Sequence, residues 1–196
     1  MREKLTIILG LTIALTSLAA CTSVPDTEAT AQYMRGYNQM PKRLLVLVNL
    51  GEDFGDKSSN TPTNSGRDDF HLNLIRELNG CGVLTVYKAI ADGTFPQSEN
   101  DTLKSMNADA YLIVNQKSFA IDHKEISRIS YTATLTDVHT KANVWHADIT
   151  LNNLSGNPGY RLSDTITSMM ANVDLIPTHC LVSSTLQQLI TNAHPH

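Results

Sequence analysis

The chain lacks most of the patterns that announce chemistry. It has no G-x-S-x-G elbow, no P-loop, no G-x-G-x-x-G turn, no C-x-x-C pair and no H-E-x-x-H helix, so the common signatures of hydrolysis, nucleotide binding, thiol exchange and zinc proteolysis are missing. No basic stripe accompanies its 15 Lys and Arg, which excludes a nucleic-acid footprint, and its 19 Asp and Glu are scattered as on a solvated surface. There is no internal repeat. The seven histidines are dispersed. His139, His146 and Asp148 are near enough in sequence for a loose metal site, but exposed strand polars are the simpler reading, and no metal or cofactor is expected. Ser163 and Asp164 with a distant His make a triad only if spacing is ignored. No catalytic residue is assigned.

Cysteine is scarce, three in 196 residues, and the first one has a context of its own. Arg2 and Lys4 precede a mostly apolar segment from Leu5 to Leu15, followed by small residues, which is a secretory signal layout and too short to span a bilayer. Leu18-Ala19-Ala20-Cys21 resembles a bacterial lipobox. That resemblance implies cleavage between Ala20 and Cys21 and a diacylglycerol on the Cys21 thiol, and Thr22 in place of Asp implies sorting to the outer membrane, facing the periplasm. Residues 1–20 are therefore read as signal peptide, 21–40 as lipidated Cys and flexible tether, and 41–196 as one domain. Removing Arg2, Lys4 and Glu3 takes the net charge from -4 to -5. Cys81 and Cys180 remain, a disulfide candidate in an oxidising compartment.

Within the domain, RLLVLVNL (Arg43 to Leu50) is a nearly continuous apolar run, as expected of a strand covered on both faces. Residues 51–66 are rich in turn formers and form the longest loop. Phe70, Leu74, Ile75 and Leu78 mark a helix, with Gly80 at its C-terminal cap. Val83 to Ile90 is a strand, Ser98 with Asp101 resembles a capping box for a short helix carrying Leu103 and Met106, and Asp109 to Phe119 is a third buried strand. Ile129 to Thr136 and Trp145 to Leu151 alternate with period two, predicting half-buried antiparallel strands. Ser163 caps a helix faced by Ile166, Met169, Met170 and Val173, and a further helical piece carries Leu181, Leu186, Leu189 and Ile190 beyond Pro177. The result is an α/β (α+β) fold, a mixed sheet in the order β-α-β-α-β-β-β-α with helices packed on it.

The hairpin around Asp137-Val-His-Thr140-Lys141-Ala-Asn-Val-Trp145 is similar to the Asp-x-x-Thr-Gly-x-x-x-Trp hairpin of small bacterial envelope lipoproteins, a group that includes the curli secretion lipoprotein, activators of penicillin-binding proteins and proteins with a TolB N-terminal-like fold. Lys141 stands where that group has Gly. The resemblance covers about Pro41 to Ile190 and carries no catalytic residue onto this chain. It implies a non-catalytic binding or assembly factor for an envelope or secretion complex, held to the membrane by its lipid and partnered by an envelope protein. The alternatives are a self-assembling channel subunit of the curli type, against which stands the lack of a long pore-forming hairpin, and an envelope hydrolase. Trp145 and Tyr131 are expected in the core. Tyr33, Tyr37, Phe54 and Phe95, with Met34 and Met40, are the expected partner surface, because loops on a rigid sheet commonly carry function.

Overall fold

The computed structural model describes residues 26–178 apart from 52–53, 55–64, 124, 153 and 155–156. Its centre is β2 (Arg43–Asn49), whose five apolar residues from Leu44 to Val48 are all buried. Leu44, Val46 and Val48 face one apolar layer, and Leu45 and Leu47 face the other. That double burial is what a continuous apolar run requires.

β2 pairs in parallel with β3 (Leu84–Ala89) on one side and β4 (Ala110–Asp122) on the other. Antiparallel pairing continues through β5 (Glu125–Asp137), β6 (Asn143–Asn152) and β1 (Thr27–Tyr33), giving the order β1-β6-β5-β4-β2-β3. Helices α1 (Ser65–Gly80) and α3 (Pro158–Ala171) cover the larger core, and α2 (Asn100–Ser105) covers the smaller one with Leu103. The mixed sheet with helices packed on it is the fold class expected from the periodicities.

Several local expectations are corrected. Residues 27–33, read as tether, form the edge strand β1, which pairs with β6 along its whole length while its side chains stay largely in water. Backbone hydrogen bonds, not apolar burial, hold it, so no hydrophobic alternation marks it. β4 and β5 run further than predicted and meet at a two-residue turn, with His123 at φ 47 between the paired Asp122 and Glu125, as a tight hairpin demands. Ser98 makes no capping bond; Glu99 is the N-cap of α2, without a side-chain capping hydrogen bond, and its carboxylate pairs with Lys88 at 2.6 Å instead. Asn157, not Ser163, caps α3: its Oδ1 accepts from the Tyr160 N–H at 2.9 Å, and Pro158 opens the helix.

All three helices end in the same way. Val83 N–H donates to Leu78 O, Ala108 to Leu103 O and Leu175 to Met170 O, and each closure turns on a left-handed residue: Gly82 (φ 79), Asn107 (φ 49) and Asp174 (φ 58). The cap of α1 is thus Gly82 and not Gly80.

α1 and α3 lie side by side and parallel. Asn157 Nδ2 donates to Asp69 Oδ2 at 2.8 Å, Asn73 Nδ2 to Ser163 Oγ at 2.6 Å, and Thr167 Oγ1 to Glu77 Oε2 at 2.6 Å. At the first turn Gly159 approaches so closely that a Cβ there would stand 2.0 Å from Gly66 O. The two C-terminal ends are therefore neighbours. Cys81, just past α1, is disulfide-bonded, and the chain leaves α3 beside it toward Cys180, which lies outside the described residues along with Cys21. Cys180 is the partner expected from the sequence, where the lipobox resemblance assigns Cys21 to lipid. Closing a loop of about 100 residues stabilises by up to about 4.7 kcal/mol on the chain-entropy view. Alkylation of the unreduced, denatured protein should leave Cys81 and Cys180 unmodified and join their peptides in mass spectra; a free Cys180 thiol would reject the pairing.

Candidate functional site

The site is built by the segment that links β1 to β2. After Tyr33, the Met34 N–H donates to Val144 O at 2.9 Å, and the chain reverses through Gly36 (φ 85), with Tyr37 N–H closing on Met34 O at 3.2 Å. At its far end Lys42 and Arg43 donate their N–H groups to Asp109 Oδ2 at 2.8 and 2.9 Å. An arm tied at both ends holds its side chains in place. Tyr33 and Tyr37 turn toward the core, while Met34 and Met40 stand about half exposed at 50% and 46%. Between this arm and the α3 closure lies a groove of about 300 Å³, lined by Tyr33, Tyr37, Met40, Val173, Asp174 and Leu175 with the amides of Asn38 and Gln39.

Tyr37 is fastened from below by the β5–β6 turn. Its hydroxyl donates to Asp137 Oδ2 at 3.2 Å, while Asp137 Oδ1 accepts from the Thr140 N–H (2.7 Å), the Thr140 hydroxyl (2.9 Å) and the His139 N–H (3.0 Å). Burial pushes the Asp137 carboxyl up, but these donors outweigh it and hold the group below its ordinary value. Burial, then the Asp137 charge, pushes the Tyr37 phenol up to about 12. Lys141 sits in the left-handed region at φ 61. That is the conformation Gly adopts freely, which explains why Gly suits this position of the resembling hairpins.

The expected aromatic surface separates into three parts. Tyr33 and Tyr37, with Met40, meet in the groove. Phe95 lies on the other side of the sheet, tilted against Tyr111 at 4.6 Å between ring centres. Phe54 is a correction: it is buried, 2% exposed, and stands edge-on to Tyr131 at 5.7 Å. An aromatic in a polar loop was read as surface, but the β2 exit lets it fold back onto the core. Most of loop 51–66 lies outside the described residues. Tyr131 and Trp145 are core residues, 0% and 1% exposed, and burial pushes the Tyr131 phenol up. Ala20 and Cys21 also lie outside the described residues.

The polar groups weighed for chemistry are occupied elsewhere. Ser163 Oγ accepts from Asn73 and donates to Tyr160 O at 2.9 Å, fully buried between α1 and α3. Burial raises the carboxyls of Glu77 and Asp164 in the same seam. His146 Nδ1 lies 2.9 Å from Thr134 Oγ1, its Nε2 3.5 Å from Asp148 Oδ2, and Asp148 meets Lys117 at 3.2 Å. His139 is in the turn and does not join them. Among the described residues no three metal-ligating side chains converge.

No family model matches this chain, and no curated protein matches it. Solved structures similar to it include the PelC dodecamer from Paraburkholderia phytofirmans, 19% identical over 76% of this chain and 96% of that one, with a TM-score of 0.42. A variant of the same PelC is 17% identical over 76% and 99%, at 0.44. A Xanthomonas campestris protein of the DUF330 family is 12% identical over 82% and 93%, at 0.33. These likenesses are slight in identity and in overlay.

The Tyr37–Asp137 bond has a pH signature. Asp137 is depressed in the fold, so its stabilisation is present above the unfolded carboxylate value of about 3.9 and is lost as pH falls through the lower folded value. Tyr37→Phe should cost about 1 kcal/mol at neutral pH and leave a smaller acid loss that is complete at higher pH, since one donor to the folded carboxylate is gone while the unfolded value is unchanged. Denaturant midpoints followed into acid check this; parallel curves for both proteins would contradict it.

Proposed function

We propose that the chain is an outer-membrane lipoprotein, anchored through Cys21, whose domain binds another envelope component on the periplasmic side without catalysis. The observation that carries the binding role is the groove. It gathers Tyr33, Tyr37 and Met40 from one arm onto the α3 closure and leaves Met40 about half exposed in its lining. Aromatic and Met side chains are the groups that dominate protein contacts, because they bury large area at little entropic cost and adapt in shape. The arm is rigidly tied, so a partner meets a preformed surface rather than one it must order.

The lipobox at Leu18 to Cys21 supports the envelope location, and the likeness of the Asp137 hairpin to envelope lipoproteins supports an accessory role. The use of Ser163, Glu77 and Asp164 in helix packing agrees with binding rather than hydrolysis. The groove is small beside drug-sized pockets. It suits one or two side chains of a protein partner.

The test uses cells fed a clickable fatty acid and carrying a photo-crosslinking residue at Met40 or, as control, at exposed Leu84 on the far edge strand. The wild-type chain should take the label and Cys21→Ser should not. Met40 should give one discrete adduct that Tyr33→Asp abolishes, and Leu84 none. Label that persists in Cys21→Ser removes the anchor; adducts that are equal at both positions remove the groove.

A further inference from the structure

The groove between the arm and the α3 closure carries charge of one sign. Of the residues that line it, Asp174 alone has a formal charge, and the rest are the two phenols, a thioether, Val173, Leu175 and the amides of Asn38 and Gln39. The basic residues of the arm, Arg35, Lys42 and Arg43, are outside the lining, and Arg43 Nη1 turns to Met106 O at 3.4 Å. Asp174 is exposed, and among the described residues its carboxylate forms no ion pair.

The backbone and the neighbouring carboxylates add to the same sign. Val173 to Leu175 close α3, whose last carbonyls are the negative end of the helix dipole, and the last turn of that helix contains no basic residue. α1 ends beside it, also without one. Helix ends are commonly offset by a Lys, Arg or His of their own last turn, as α2 is by Lys104. These two are not. From the arm side, burial is the largest cause that raises the Tyr37 phenol, and the charges of Asp137 and then Asp109 raise it further. Two more carboxylates are therefore felt at the groove.

From this convergence we infer that the groove takes a cationic side chain of the envelope partner, an arginine, with its guanidinium at the Asp174 carboxylate and its stem along Met40 and Val173. This rests on the reading of the groove as a partner surface and names what the partner presents to it. An acidic side chain would meet Asp174 and the helix end with like charge. An arginine stem is apolar and lies well on Val173 and Leu175 while its head stays at the wet rim. The rest of the lining matches a planar fork better than a point charge: aromatic rings on which a guanidinium stacks, and a carboxylate and two amide oxygens that accept from its N–H groups.

The test titrates the full lipidated protein, in detergent micelles and isotope-labelled at its methionine methyls, with capped glycine-arginine-glycine and with the same peptide carrying citrulline, which keeps the shape of arginine without its charge. The Met40 signal should shift and saturate with the arginine peptide, while that of Met170, 0% exposed, stays still. The citrulline peptide should bind roughly fivefold more weakly. Asp174→Asn keeps a residue that tolerates the left-handed backbone at φ 58, and it should weaken the arginine peptide by a similar factor. Added salt should weaken the arginine peptide alone. Equal binding of the two peptides, a Met40 signal that neither moves, or undiminished arginine binding by Asp174→Asn overturns the arginine and leaves the groove. The groove itself is read in cells: no discrete photo-adduct from Met40 in the otherwise wild-type chain removes the partner surface, whereas an adduct kept at full yield in Asp174→Asn removes the arginine alone.

Discussion

The approach of Gly159 to Gly66 is the contact on which the rest of the helical layer depends. With no side chain on either residue, α3 starts in backbone contact with α1, and a Cβ at Gly159 would meet Gly66 O at 2.0 Å and Phe70 N at 2.8 Å. Parallel helices held at one end keep register along their length. The Asn73–Ser163 and Glu77–Thr167 bonds follow at one-turn spacing, and the two C-terminal closures come together. One closure carries Cys81; the other carries Val173 to Leu175, one wall of the groove. The cost of this close seam is polar burial. Glu77 and Asp164 are pushed toward their neutral forms, and the hydroxyls of Ser163, weighed from the sequence as candidate chemistry, and of Thr167 are donors and acceptors for the packing.

The two ends of the sheet carry different surfaces. Tyr33 pairs with Trp145 and Trp145 with Leu135 at one end; Thr27, Leu151, Ile129 and Phe119 are level at the other. β1 is seven residues long, so about 20 Å separates them at about 3.3 Å per residue. One edge strand thus runs from the hairpin end of the sheet to the groove.

Much of the sheet was legible in the sequence because burial leaves a period. The continuous apolar run of β2 and the alternation of β5 and β6 are direct records of two buried faces and one. β1 leaves no such record: TEATAQY is held by its ladder with β6 and shows most of its side chains to water. Phe54 failed for a different reason, since nothing local tells an aromatic that folds back onto Tyr131 from one that faces solvent. The α3 start was present as Asn157-Pro158, an N-cap followed by a residue suited to the first turn, but Ser163 drew the boundary inward. Of the site, Tyr33, Tyr37 and Met40 were legible as loop aromatics and methionine. Their convergence was not, because the opposite wall comes from α3, more than 130 residues further along.

The most direct test is the unfolding free energy of Gly159→Ala. If the backbone contact with Gly66 sets the helical layer, the added methyl has nowhere to go, and the variant should lose about 1–3 kcal/mol or more to overpacking, although Ala is intrinsically the better helix former. A variant as stable as the parent, or more stable, would show that α3 can stand off from α1 without cost, and that the seam does not hold the groove and the cysteine closure in place.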